Sequence, residues 1–76
     1  MKRYVIFFQL KDGKSGFYNG DVQMFLSVLG KLACTKFDYL GAAKARQATL
    51  MEKFGKDVEY TEIMVFENGD VHPLED

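Results

Sequence analysis

Tryptophan is missing from this 76-residue chain, and cysteine, proline and histidine occur once each. A lone cysteine, Cys34, excludes an internal disulfide and with it the small secreted domains stapled by several bridges. One Cys and one His, His72, fall short of a four-ligand zinc site within one chain. No apolar run approaches the ~20 residues a membrane-spanning helix needs. The opening basic residues and the apolar stretch Tyr4 to Phe8 are too short for a secretory leader. Gln9, Lys11 and Asp12 follow at once, with no small-residue cleavage site. A cytoplasmic chain without membrane contact is the expectation. Lysine and arginine also stop at Lys56. Formal charge is therefore +2 over residues 1–30, +4 over 31–56 and −7 over 57–76, although the net value is only −1.

Apolar material is plentiful. Hydrophobic residues make up 47% of the chain, with seven Phe and four Tyr. A chain of this length forms one domain, residues 1–76, with room for a single core and little interior to spare. Some of its large apolar groups are expected to meet a partner.

Two turn signals bracket the sequence, Asp12-Gly13 and Asn68-Gly69. Both dipeptides tolerate the positive φ of a tight hairpin turn, so a hairpin is expected at each end. Between them lie two helical patterns. Val22, Phe25, Leu26, Leu29, Leu32 and Ala33 share one face, with Asn19 or Asp21 as cap. Leu40, Ala43, Leu50, Met51 and Phe54 share another, with Asp38 as cap and Gly55 as a left-handed stop. Cys34 to Tyr39 reads as the inter-helix connection, with a short strand as the alternative. The expected fold is α+β: hairpin, two helices, hairpin, in a small antiparallel sheet with both helices packed on one face.

The first strand is apolar on both sides, as in a strand covered twice. Two helices cover one side; the loop from Gly16 to Gly20 or a second subunit covers the other. Val5 and Phe7 on that sheet side, and Met24 and Val28 on the outer side of the first helix, are thus candidate contact residues for a protein partner, a homodimer above all. The second helix carries a basic stripe of Arg46 and Lys53 on small neighbours, Ala42 and Thr49, with Lys56 just beyond. Such a stripe fits an acidic protein patch or, as the alternative function, the phosphates of a nucleic acid, with Lys44 as a further contact. The acidic balance weakens that alternative.

No catalytic set assembles. His72 precedes Pro73 on a short return strand, where an edge position describes it better than a base does. Gly13-Lys14-Ser15 matches the end of a phosphate-binding loop, but Phe8 stands where the leading glycine belongs. Cys34 has Lys31 and Lys36 nearby in sequence and no resolving thiol, so it reads as a packing residue. The function expected is a small non-enzymatic protein-binding module of the regulator or inhibitor type, with no cofactor and no metal.

Overall fold

The computed structural model describes residues 2–20 and 34–74. β1 (Arg3–Leu10) and β2 (Ser15–Phe17) form the first hairpin. Gly13 takes φ 97°, and the turn closes as Leu10 N–H donates to the Lys14 carbonyl at 2.7 Å. The Asp12 carboxylate accepts the Lys14 amide at 3.0 Å, the local bond that makes Asp a turn residue. β3 (Val58–Glu67) and β4 (Asp70–Pro73) form the second hairpin, whose turn residues Asn68 and Gly69 have φ 55° and 82°. Both are positive, as a type I′ turn requires.

The two hairpins join through β1 and β3 into one antiparallel sheet of order β2-β1-β3-β4. The register places Val5 opposite Met64 and Phe7 opposite Glu62; it slips once, between Gln9 and Leu10, where Glu59 is the extra residue on β3. That bulge returns Val58 to the buried side, where it joins Ile6, Phe8 and Ile63.

One helix lies against this side. α1 (Leu40–Phe54) contributes Ala43 and Leu50 to the core, and a 3₁₀ turn, Gly55–Asp57, leads into β3. The expected pair of helices on one face is thereby overturned: among the described residues the sheet carries a single helix. The first helical pattern, Val22 to Ala33, lies outside the described residues. The segment expected to connect two helices has another task. β2 is too short to serve the backbone of Tyr4, and an unpaired buried peptide group is costly. Phe37 serves it instead: Tyr4 and Phe37 exchange two N–H···O bonds of 2.8 Å. Thr35 N–H donates to the Tyr18 carbonyl at 2.9 Å, continuing the same flank. The connection is therefore fixed to the β1 edge by an isolated bridge.

The ends of α1 also differ from expectation. Its N-cap is Tyr39, without a side-chain cap bond, while Asp38 pairs with Arg3 at 3.7 Å. Gly55 is right-handed, at φ −54° and ψ −32°, because the chain tightens into the 3₁₀ turn instead of stopping.

Candidate functional site

Successive strand residues point to opposite sides of a sheet. Ile6 and Phe8 face α1, so Val5, Phe7 and Gln9 face away from it, beside Met64, Glu62 and Tyr60 on β3. On this second side an aromatic row crosses three strands. Phe17 meets Phe7 edge to face at 5.7 Å between centroids, and Phe7 meets Tyr60 at 6.3 Å. Phe7 and Phe17 are half-buried, whereas Tyr60 is 48% exposed. The Tyr60 hydroxyl donates to the Glu62 carboxylate two residues along. That bond, aided by slight desolvation and by the carboxylate's charge, raises the phenol's pKa above its ordinary value.

Val5 behaves differently. It is fully buried, so it offers no surface to a partner, contrary to the expectation for it. The same side is covered further along by Lys36, whose ammonium lies 4.7 Å from the Phe66 ring centre and donates to the Cys34 carbonyl at 3.2 Å. Of the sheet-side contact residues, Phe7 retains partial exposure and Val5 none. Met24 and Val28 lie outside the described residues.

The basic stripe divides as well. Arg46 reaches back to the sheet: its Nη1 donates to the hydroxyl of buried Tyr18 at 2.8 Å, and the guanidinium lies 5.8 Å from that ring's centre. Tyr18 stacks on Phe37 at 6.3 Å. Arg46 is thus a tie between α1 and the β2 flank, set on the side of the helix instead of its outer pole. Thr49 is spent on the Ala45 carbonyl at 3.1 Å. Lys44, Lys53 and Lys56 are exposed, interleaved with exposed Glu52 and Asp57.

Among the described residues the groups with reactive side chains are not assembled. Cys34 is 5% exposed, and burial raises its thiol pKa more than the Lys36 charge lowers it, which leaves a poor nucleophile. His72 lies 3.6 Å from Glu67 and bonds locally to the Pro73 carbonyl at 3.1 Å, on an edge strand. An open hollow lined by Leu10, Lys11, Asp12 and Asp57 is turn architecture: Lys11 N–H donates to the Asp57 carbonyl at 3.0 Å. Among the described residues no three His, Cys, Asp or Glu side chains are placed to hold a metal ion. No helix among them is long and apolar enough to cross a membrane.

Sequence reasoning missed Phe17 and Tyr60 as neighbours of Phe7. The Asp12-Gly13 turn held the signal for Phe17, since a tight hairpin there sets the two rings opposite each other. Nothing local announces Tyr60, whose place depends on the pairing of β1 with β3. Comparison with protein-family models, with curated proteins and with solved structures finds no match.

Proposed function

We propose that this chain is a small non-enzymatic protein-binding module of the regulator or inhibitor type, and that it associates with a second copy of itself. The contact is the aromatic row Phe17–Phe7–Tyr60 on the sheet side away from α1. One observation carries this reading: Tyr60 keeps 48% of its surface exposed at the end of a continuous aromatic row. Aromatic side chains supply large contact areas at low entropic cost and are common anchors of protein interfaces. A two-fold contact brings one patch against itself; the rings of the row carry no charge, and the Glu62 carboxylate beside them accepts a hydrogen bond from the Tyr60 hydroxyl.

Light scattering over a concentration series from micromolar to millimolar tests it. A dimer whose dissociation constant rises about tenfold in Tyr60→Ser supports the reading, the loss of ~1.4 kcal/mol expected of an interface anchor. A strict monomer throughout the series overturns it. Salt has little influence on an apolar contact; a complex with DNA or RNA, by contrast, weakens steeply as salt rises.

A further inference from the structure

Asparagine occurs twice in the chain, each time in the same tripeptide, Asn-Gly-Asp, at 19–21 and 68–70. In Asn-Gly a backbone nitrogen readily attacks the preceding side-chain amide, because glycine has no Cβ to block the approach. The fold sets the two copies in opposite surroundings. Asn68 and Gly69 are exposed at the tip of the second hairpin, both at positive φ. A Cβ built on Gly69 would meet nothing within 4 Å, and among the described residues its N–H has no hydrogen-bond partner. The turn leads into β4, a four-residue strand with no buried residue, so loosening it uncovers little apolar surface. Asn19 and Gly20, by contrast, are half-buried on the β2 flank. Gly20 N–H donates to Thr35 Oγ1 at 2.9 Å, Thr35 N–H donates to the Tyr18 carbonyl, and the Tyr18 hydroxyl closes over Gly20.

From this contrast we infer that Asn68-Gly69 is a site of spontaneous deamidation in the folded protein, and that Asn19-Gly20 is guarded against the same reaction. The Gly69 amide gives its proton to base in the solvent, and its nitrogen attacks Asn68 Cγ. The new N–Cγ bond closes a five-membered imide as the Cγ–Nδ2 bond breaks, and Nδ2 leaves as ammonia. Water then opens the ring at one of its two carbonyls. Opening at Cγ leaves an aspartate at position 68; opening at the main-chain carbonyl leaves an isoaspartate, whose backbone runs through Cγ. In sum one water is consumed and one ammonia released, with no oxidant or reductant. Either product sets a new carboxylate between Glu67 and Asp70. The isoaspartate also lengthens the backbone in the turn, which upsets the register of Glu67 with Asp70 and Val65 with His72. At Asn19 the attacking nitrogen is engaged with Thr35, so the reaction must wait for local opening. The inference does not rest on the proposed self-association.

The test incubates the whole chain at mildly alkaline pH, with a parallel sample held unfolded in urea, and follows both asparagines by peptide mapping and mass spectrometry. In the folded chain Asn68 is expected to convert at least about tenfold faster than Asn19, the minimum effect of a modest local-opening barrier. The products at position 68 are expected to separate into aspartate and isoaspartate. In urea the two rates should converge, because the tripeptides are the same. Equal rates in the folded chain, faster conversion at Asn19, or no conversion at Asn68 overturns the inference. A difference that persists unchanged in urea overturns it as well, since sequence neighbours and not the fold would then be the cause.

Discussion

Tyr18 ties three parts of the chain together through a single side chain. It receives the Arg46 guanidinium from α1, stacks on Phe37 beside β1, and crowds Gly20, where an added Cβ would lie 2.7 Å from its hydroxyl oxygen. Tyr18→Phe removes the acceptor and is expected to cost about 1 kcal/mol in chemical denaturation, since Arg46 can turn to water. Gly20→Ala should destabilise the native chain. In the Tyr18→Phe background it should cost less, because the nearest clashing atom is gone. Denaturation of the two single variants and the double variant measures that coupling, and strict additivity would argue against the contact. Tyr60 supports a second residue-scale prediction. Its phenol pKa is raised by the bond to Glu62, so the stabilisation it brings is fully present below the ordinary value near ~10 and is lost as pH rises through the higher folded value. Ultraviolet titration should show one tyrosine ionising earlier in Glu62→Gln than in the native chain.

Among the elements, α1 begins without a cap. Tyr39 stands at its N-cap position, 75% exposed, with no side-chain bond to the first turn and no acid within that turn. Tyr39→Asp supplies both a capping oxygen and a charge favourable to the helix dipole, and should stabilise the chain by about 1 kcal/mol in thermal or denaturant unfolding. The hairpins were legible because Asp12-Gly13 and Asn68-Gly69 encode backbone geometry within two residues. The core face of α1 was legible from the spacing of Ala43 and Leu50. Its ends were not: Asp38 looked like the cap, but its carboxylate is drawn to Arg3, a contact set by tertiary placement. The bridge at Phe37 was hidden for the same reason. Whether Cys34 to Tyr39 connects or pairs depends on how far β2 runs along β1, and β2 stops at Phe17. Tyr60, the exposed end of the candidate contact, owes its role to a partner strand more than fifty positions away in the register.

For the molecule as a whole, that register also sets the order of assembly. Each hairpin closes over a handful of residues, but the seam between β1 and β3 joins chain segments from opposite ends, with Arg3 beside Phe66. Closing so long a loop costs entropy before any contact across the seam repays it. The hairpins are therefore expected to flicker into being early, with docking along the seam as the slow event on a millisecond-to-second scale. Ile6 lies at the middle of that seam, opposite Ile63 and fully buried. In stopped-flow kinetics, Gly69→Ala, in a turn closed before the slow step, should show mainly as slower folding, whereas Ile6→Val, on the seam being formed, should divide its effect between the folding and unfolding arms. A chain cut between the hairpins would then lose its rate-setting tether, and its two pieces should recombine at a speed that depends on their concentration.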